Sequence, residues 1–224
     1  MSIITVKNLS HYYKDDDYRR YVLKDVNYSF EKGKFYTILG QSGSGKTTLL
    51  SLLGAMDSVQ EGTIEYEGKP LGKYDLNAIR RNFTGMVFQS YNLIPYMTAL
   101  ENVLVAMEIT ENKIPADKEN VAYNLLDFLG ITKSKADRLV TKLSGGEQQR
   151  VAIARALATN VEVILADEPT GNVDEETAGE IIVIFKKLAH DHNKCVIVVT
   201  HSPLIAAEAD VVLTLRKGNF TIDE

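Results

Sequence analysis

The stretch that most constrains this chain is a glycine-rich turn between two apolar runs, with the sequence Gly40-Gln41-Ser42-Gly43-Ser44-Gly45-Lys46-Thr47-Thr48. The apolar run 35–39 before it predicts a strand, and the leucine-rich run after it predicts a helix. The spacing G-x-x-x-x-G-K-[ST] is that of a phosphate-binding loop, in which backbone N–H groups and a helix N-terminus bind a polyphosphate. The sequence therefore predicts a nucleotide site at a strand–turn–helix junction.

The residue types inside this loop also suit a bound polyphosphate. Its glycines permit positive φ and let the backbone approach an anion without a Cβ in the way. Lys46 offers a compact positive charge to the β and γ phosphates, and Thr47 offers a hydroxyl to Mg²⁺. The leucines that follow share one helical face with Met56, so we expect the helix to continue to that residue. An ordinary glycine–serine turn is the alternative, and the strand–turn–helix context argues against it.

The bulk properties of the chain limit its class and its partners. Its 224 residues allow one large domain or two lobes that share a core. A formal net charge of −5 argues against general attraction to nucleic acid or to anionic lipid. The one cysteine, Cys195, lies in an apolar run, which fits a buried thiol in a reducing cytoplasm. We find no signal-peptide pattern and no run long enough to cross a membrane, so we expect any membrane role to come through a partner.

Periodicity along the chain predicts an α/β protein with a helical insert. The expected strands are residues 3–9, 22–30, 62–66, 85–88, 161–166, 195–199, 211–215 and 220–222, and the expected helices are 76–82 and 177–190. Residues 99–130 follow helical spacing and predict a second, mostly helical lobe. Residues 11–21 are charged and aromatic and predict a loop. A tyrosine of that loop would either stack on a purine ring or cover the edge of a sheet.

A second glycine turn, residues 144–146, opens an alanine-rich helix. Ser144 is a candidate N-cap, and Glu147 three residues later completes the pattern of a capping box. A capping box alone is one interpretation. The other is a second anion site, because a helix start with bare glycine amides binds anions. Since the chain has one lysine-bearing phosphate loop, we interpret the second site as completing a nucleotide pocket on another copy of the protein.

Acidic, amide and imidazole side chains follow other predicted strands. Asp167 and Glu168 end an apolar strand: Asp167 is the residue type that holds Mg²⁺ beside a phosphate loop, and Glu168 would polarise the attacking water. Gln89 follows another strand, where its carboxamide would reach a metal-bound water or would simply be a loop residue. His201 follows the strand 195–199, which we expect in the same parallel sheet. Ligands bind at the carboxyl ends of the strands in such sheets.

Together these motifs, in this order and spacing, resemble the ATP-binding subunits of ABC transporters over essentially the whole chain. The family's names for them are the Walker A loop (40–47), the Q-loop residue Gln89, the signature (143–147), Walker B with its catalytic glutamate (163–168), the D-loop (171–174) and the switch histidine His201. Residues 88–95, 99–103 and 165–172 resemble the bacterial subgroup of macrolide-efflux, lipoprotein-releasing and antimicrobial-peptide-resistance ATPases. Glu147 stands where many members have Gln, and Val173 stands where Leu is more usual. Neither departure removes a catalytic group.

The resemblance implies a fold and an assembly. The fold would be a single ABC ATPase domain, residues 1–224, of the α/β class: a P-loop NTPase with a RecA-like core, an N-terminal antiparallel β subdomain and a helical signature subdomain. Residues 1–89 and 160–224 would form the catalytic core with the β subdomain, and residues 90–159 the signature subdomain. Two chains would form a head-to-tail homodimer around two ATP molecules, each between one Walker A loop and the other chain's signature. A separate integral membrane permease would bind near residues 89–99, on the inner face of the membrane.

The resemblance also implies the role of each site residue. Glu168, His201, Lys46 and Gln89 would be catalytic, and Mg²⁺ would be held by Thr47, Gln89 and Asp167. ATP would be bound by Tyr13, Gly40, Gln41, Ser42, Gly43, Ser44, Gly45, Lys46, Thr47, Thr48, Ser144, Gly145, Gly146, Glu147 and Asp174. Tyr12 is the alternative to Tyr13 as the ring that stacks on adenine.

The implied function is ATP hydrolysis that powers export or mechanotransmission through the permease, with a peptide, antibiotic or lipoprotein-type substrate. The alternative is an ATP-driven regulatory module that acts through a membrane partner without transport. A soluble ABC protein of translation or DNA repair fits less well, because residues 89–143 allow only a compact helical lobe.

Overall fold

Two β-sheets of different kinds contain the strands of this chain, whose structure is a computed structural model describing residues 2–15 and 18–222. The first sheet is antiparallel, with the order β2-β1-β4-β5, and consists of Ser2–Asp15 (β1), Tyr18–Glu31 (β2), Glu61–Tyr66 (β4) and Lys69–Pro70 (β5). The second has the order β10-β9-β3-β8-β7-β6 and consists of Phe35–Leu39 (β3), Thr84–Phe88 (β6), Val163–Asp167 (β7), Cys195–Thr200 (β8), Val211–Arg216 (β9) and Asn219–Ile222 (β10).

The second sheet is parallel from β9 to β6, and only β10 runs antiparallel to its neighbour. Its central strands are continuous apolar runs, and all six residues of β8 are buried. Such runs suit a parallel sheet that is covered on both faces. Because the strands are parallel, Leu39, Phe88, Asp167 and Thr200 all end at the same edge, where ligands of such sheets bind.

Eight α-helices surround the sheets in the part of the chain that the structure describes. They are Lys46–Leu53 (α1), Leu76–Asn82 (α2), Ala99–Ile109 (α3), Lys118–Phe128 (α4), Lys133–Ala136 (α5), Gly145–Leu157 (α6), Glu175–His190 (α7) and Pro203–Ala207 (α8). Short 3-10 helices span Leu71–Lys73 and Val140–Lys142. None of the helices in residues 2–15 and 18–222 is both long enough and apolar enough to cross a membrane.

Two apolar clusters fill the interior. One joins the helical segment to the parallel sheet, with Val103, Leu126 and Val151 packed in the same cluster as Ile164 and Phe185. The other joins the antiparallel sheet to α1 and to the other face of the parallel sheet. Helices α3 to α6 therefore share their core with the sheet. The assignment of residues 90–159 to a separate subdomain stays a prediction.

The expected loop at residues 11–21 is wrong for most of its length. Strand β1 runs to Asp15 and β2 begins at Tyr18, so both flanks are paired strand, while Asp16 and Asp17 lie outside the described residues. Aromatic cross-strand pairing explains the difference: the rings of Tyr12 and Tyr21 lie 5.3 Å apart and stabilise the hairpin.

The first helix is also shorter than its apolar spacing predicts. Helix α1 ends at Leu53, and Met56 is 53% exposed rather than buried on the helical face. Gly54 follows as the C-cap, and Ala55 adopts a positive φ of 54°, which the helix cannot continue through. Cys195, in contrast, is buried as expected, and this burial raises the pKa of its thiol to about 12.

Candidate nucleotide-binding site

The glycine loop lies between β3 and α1, as its sequence predicts, and its neighbours leave no room for side chains at two glycines. A Cβ on Gly45, whose φ is 100°, would lie 2.7 Å from the carbonyl oxygen of Val22 in β2. A Cβ on Gly40 would lie 2.5 Å from the Ser44 hydroxyl oxygen of the loop itself and 2.9 Å from the carbonyl oxygen of Leu215 in β9. The atoms that β2 and β9 place against these glycines are backbone carbonyls, so the loop is held close to two strands.

Lys46 and Ser44 show that the loop suits an anion. The Lys46 side chain is buried, and its Nζ donates to the carbonyl oxygens of Gly40 and Gln41 at 2.6 and 3.1 Å. The Ser44 hydroxyl is buried without a hydrogen-bond partner within the described residues. A buried cation whose present partners are only neutral carbonyls, next to an unpaired hydroxyl, fits a bound phosphate group.

An open cleft of about 790 Å³ lies beside this loop and brings most of the predicted site residues together. The predicted residues that line it are Tyr13, Gln41, Ser42, Gly43, Gly45, Lys46, Thr47, Thr48, Gln89, Asp167, Glu168 and His201. Gly40 and Ser44 line a neighbouring cleft instead, together with Arg216 and Lys217. The cleft joins side chains from both sheets and from α1.

Thr47, Asp167 and Gln89 are the residues that would hold Mg²⁺. The Thr47 hydroxyl donates to Asp167 Oδ1 at 3.4 Å, and Gln89 lines the same cleft. Burial is the main cause that raises the pKa of the Asp167 carboxyl, and the Glu168 charge adds to it. The described residues contain no cluster of three acidic, histidine or cysteine side chains that would hold a metal alone. One carboxylate with a hydroxyl and an amide fits Mg²⁺, which takes its remaining ligands from phosphates and water.

Glu168 and His201 contact each other at the edge of the sheet. Glu168 Oε1 lies 2.9 Å from His201 Nδ1, and Oε2 accepts a hydrogen bond from the Thr200 hydroxyl at 2.8 Å. Glu168 also has a positive φ of 44°, a conformation that is costly for a non-glycine residue. The contact follows from the sheet order, because β7 and β8 are neighbours and the two residues directly follow their ends.

Tyr13 lines the cleft, whereas Tyr12 does not. The Tyr13 hydroxyl lies 3.1 Å from that of Thr48, and its ring stands edge-on to buried His11 at 5.3 Å. About half of the Tyr13 side chain is exposed and free to receive a flat ligand. Tyr12 packs instead against Tyr21. Of the two candidate rings, Tyr13 is therefore the one that lies at the cleft.

The signature residues and Asp174 form a second cluster that contributes nothing to the cleft. Ser144 and Glu147 form the predicted capping box: the Glu147 N–H donates to Ser144 Oγ at 3.3 Å, and the Ser144 N–H donates to Glu147 Oε2 at 2.8 Å. Asp174 caps α7 through the N–H and hydroxyl of Thr177. A Cβ on Gly146 would lie 2.5 Å from Thr177, so the signature packs directly on the D-loop helix.

Arg20 and Val22 line the cleft as well, although neither belongs to a sequence motif. Both lie on β2, and Arg20 pairs directly with Tyr13 of β1. Residues 18–22 read Tyr-Arg-Arg-Tyr-Val, which is not a strict alternation of polar and apolar residues, so no local pattern marked Arg20 as part of a strand.

A phosphate loop at the carboxyl edge of a parallel sheet, beside an acid pair and a cleft, defines this chain as a P-loop nucleoside-triphosphatase. Comparison with known proteins narrows the class. The family described as ABC transporter matches residues 23–171. The uncharacterised ABC transporter ATP-binding protein YclH of Bacillus subtilis is 48% identical over 100% of this chain and 98% of its own length. The chain therefore belongs to the ABC transporter family as an ATP-binding protein, with ATP hydrolysis as its reaction and ATP and Mg²⁺ as its cofactors.

Two further relatives add detail. The macrolide export ATP-binding/permease protein MacB of Neisseria gonorrhoeae is 41% identical over 100% of this chain, which spans 35% of MacB. The dimeric structure of the MJ0796 cassette superposes with a TM-score of 0.89 and is 38% identical, over 99% of this chain and 97% of that one. A second structure of MJ0796 is dimeric in a post-hydrolysis state bound to ADP and Pi. These similarities agree with the family, the subgroup and the fold that the motifs indicated.

Proposed function

We propose that this chain is the ATP-hydrolysing subunit of a bacterial exporter or mechanotransmission system and powers a separate integral membrane permease from the inner face of the membrane. The cleft is the observation that carries the proposal, because Lys46, Thr47, Asp167, Glu168 and His201 all face one volume. The similarity to MacB, whose name joins ATP binding to a permease, supports the link to a membrane partner. A peptide, antibiotic or lipoprotein-type substrate fits that subgroup.

We further propose that hydrolysis belongs to a head-to-tail dimer. The cleft offers a cation and acids but not the signature, and the signature cluster offers helix N–H groups but no phosphate loop. A second copy of the chain would place its Ser144, Gly145, Gly146 and Glu147, with Asp174, over the cleft of the first. The dimeric MJ0796 cassette supports this arrangement. The sharing of core residues also supports treating residues 1–89, 90–159 and 160–224 as parts of one domain.

Within each site the residues have distinct roles. Gln41, Ser42, Gly43, Gly45 and Thr48 would surround the phosphates, together with Gly40 and Ser44. Lys46 would bind the β and γ phosphates, while Thr47, Gln89 and Asp167 would hold Mg²⁺, which neutralises charge on the phosphates when bound. Tyr13 would stack on the adenine.

The chemical step would depend on Glu168 and His201. Glu168 Oε1 lies 2.9 Å from His201 Nδ1, and the carboxylate has further lone pairs that can accept a hydrogen bond from the attacking water. Glu168 would then orient that water, and His201 would turn to contact the γ-phosphate. Because His201 is 75% exposed, its ring is free to rotate.

Replacing Glu168 by Gln tests this proposal. We expect Glu168→Gln to bind MgATP like the parent chain and to form a stable ATP-dependent dimer in size-exclusion chromatography. Its kcat should fall by about 10²- to 10⁴-fold, the usual contribution of a general base. Glu119→Gln makes the same chemical change in exposed α4 and should leave turnover unchanged. Hydrolysis by Glu168→Gln at the parent rate would contradict the proposed role.

The permease is tested by purification from membranes. The full chain, tagged and expressed in its native host, should co-purify in mild detergent with an integral membrane protein. That protein should raise the ATPase rate of the chain when both are placed in liposomes. Recovery of soluble partners alone would contradict the proposed link to a membrane.

A further inference from the structure

Arg20 is a positively charged residue that lines the nucleotide cleft, and none of the roles described above involves it. It is exposed, and it lines the cleft beside Tyr13, its direct partner across the β1–β2 hairpin. Within residues 2–15 and 18–222, no hydrogen bond or ion pair engages its guanidinium group. Its neighbour Arg19 differs, because it lies over the Tyr12 ring at 4.6 Å and 3.8 Å from Glu61.

The strand geometry places Arg20 next to the phosphate loop. Strand β2 meets the loop at Val22, whose carbonyl oxygen would lie 2.7 Å from a Cβ on Gly45. Residues two apart on a strand share a face and are separated by about 7 Å. Arg20 and Val22 are two apart, and both line the cleft. The backbone of Arg20 therefore lies about 7 Å along β2 from Val22, the residue that meets the loop. The Arg20 side chain lines the same cleft.

The position of Tyr13 shows which part of a nucleotide Arg20 would meet. The Tyr13 hydroxyl lies 3.1 Å from the Thr48 hydroxyl near the start of α1, so its ring stands beside the phosphate loop. A nucleotide with its base on Tyr13 and its β and γ phosphates at Lys46 passes its α-phosphate between these two residues. Arg20 lies beside that span on the neighbouring strand β2. Its planar group binds phosphate oxygens in pairs, which an ammonium group does not.

We propose that Arg20 binds the α-phosphate of the nucleotide and sets the affinity of the site for ATP and ADP alike. This inference rests on the proposed ATPase function and assigns a further binding residue to the same site. The α-phosphate is present before and after hydrolysis, so the contact stabilises ground state and transition state equally. Such uniform binding lowers KM and leaves kcat unchanged. Arg20 thus differs from Lys46, which would act on the phosphates that react.

The test compares Arg20→Ala and Arg20→Lys with the matched control Arg19→Ala. In Arg20→Ala we expect the Kd values for MgATP and MgADP to rise together by about 10- to 20-fold, near the lower end for a charged hydrogen bond. The KM for ATP should rise by the same factor with kcat within twofold. Adenosine lacks the phosphate, so its Ki should be the same in Arg20→Ala and the parent when it is measured by competition with a fluorescent ATP analogue whose own Kd is determined in each protein. Arg20→Lys should recover part of the affinity, and Arg19→Ala should bind like the parent.

Three results would overturn the inference while leaving the ATPase assignment intact. One is equal nucleotide affinity in Arg20→Ala and Arg19→Ala, the second is a fall in kcat with unchanged KM, and the third is a rise in the Ki of adenosine equal to the rise in the Kd of MgATP. Failure of the parent chain to bind MgATP would instead contradict the proposed function itself. Because Arg20 is exposed, an unchanged melting temperature for Arg20→Ala will show that its fold is intact.

Discussion

The phosphate loop (40–47) and the signature (143–147) are both glycine turns that open helices, yet their helix starts are occupied differently. Helix α1 begins after Gly45 with no side-chain cap and no acid in its first turn, and Lys46 adds a cation. Helix α6 begins with a complete capping box, and Lys135 holds the Glu147 carboxylate at 2.7 Å. The start of α1 therefore has no acidic side chain, whereas the start of α6 already has the Glu147 carboxylate. Of the two turns, only the phosphate loop is therefore built to bind a triphosphate by itself.

The two turns also differ in what surrounds them. The phosphate loop is packed against backbone atoms of β2 and β9, which cannot move aside by a change of rotamer. The signature is packed against side chains: a Cβ on Gly145 would lie 2.9 Å from the Tyr91 hydroxyl, and one on Gly146 would lie 2.5 Å from Thr177. Side chains change rotamer far more easily than sheets change register. We therefore predict that the phosphate loop (40–47) is a rigid half-site that binds nucleotide. The signature (143–147) would be an adjustable half-site that responds to the partner.

The largest effect should come from removing the cation of the rigid half-site. Lys46→Ala leaves the loop backbone in place but takes away the ammonium group, now bonded to Gly40 and Gln41. Hydrogen bonds to charged groups contribute about 1.5–3 kcal/mol each, so two lost phosphate contacts lower kcat/KM by about 10²- to 10⁴-fold. Calorimetry should show MgATP binding lost to a similar degree. Lys187→Ala, the same change on exposed α7, should have no effect. Retained MgATP affinity in Lys46→Ala would remove the distinction between the two turns.

A smaller and different effect should come from crowding the adjustable half-site. In Gly145→Ala the new methyl group meets the Tyr91 hydroxyl at 2.9 Å and the Asn172 carbonyl oxygen at 3.3 Å. Because neither residue lines the cleft, each chain should bind MgATP within twofold of the parent affinity. A misplacement of about 1 Å at a catalytic interface costs about 10²-fold, so kcat and ATP-dependent dimer formation should fall by that order.

Gly179→Ala is the matched control for this substitution. Gly179 lies inside α7, and a Cβ there would meet nothing within 4 Å. Alanine should therefore raise the free energy of unfolding by about 0.5–1 kcal/mol and leave ATP turnover unchanged. If Gly145→Ala weakened MgATP binding as strongly as it weakened turnover, the two half-sites would not be separable functions.

The phosphate loop and the capping box were predictable from sequence because short-range chemistry determines both. A glycine loop with Lys46, or a serine three residues before Glu147, adopts its structure from neighbours along the chain. The hairpin at residues 11–21 was not predictable in the same way. Its extended form depends on pairs such as Tyr12 with Tyr21, which lie on different strands. Arg20 was missed for the same reason.

The contact between Glu168 and His201 shows a second limit of the sequence. The apolar runs before them indicated one parallel sheet, and the structure contains it. Their spatial contact depends on β7 and β8 being adjacent in the strand order, which no local pattern determines. The exit of the chain from α1 is similar, because Gly54 and the positive φ of Ala55 end a helix that apolar spacing alone would extend.

The smallest effect should come from one hydrogen bond between the Q-loop segment and the D-loop. The Tyr91 hydroxyl donates to the Asn172 carbonyl oxygen at 3.3 Å, and the Asn172 amide donates to the Gln89 carbonyl oxygen at 2.9 Å. Tyr91→Phe removes the first bond and keeps the ring, so the free energy of unfolding should fall by about 0.5–1.5 kcal/mol. Turnover should fall by about two- to fivefold, since less than about 1 kcal/mol of positioning is lost.

Tyr91→Phe should leave nucleotide binding unchanged. Its Kd for MgATP should match the parent, because Gln89 and the phosphate loop keep their own contacts. Tyr96→Phe removes a hydroxyl from a tyrosine that is 76% exposed and serves as the control in both assays. If Tyr91→Phe and Tyr96→Phe gave the same turnover and stability, the Tyr91 hydroxyl would have no part in positioning the signature. A loss confined to turnover would instead place Tyr91 among the side chains through which the two half-sites communicate.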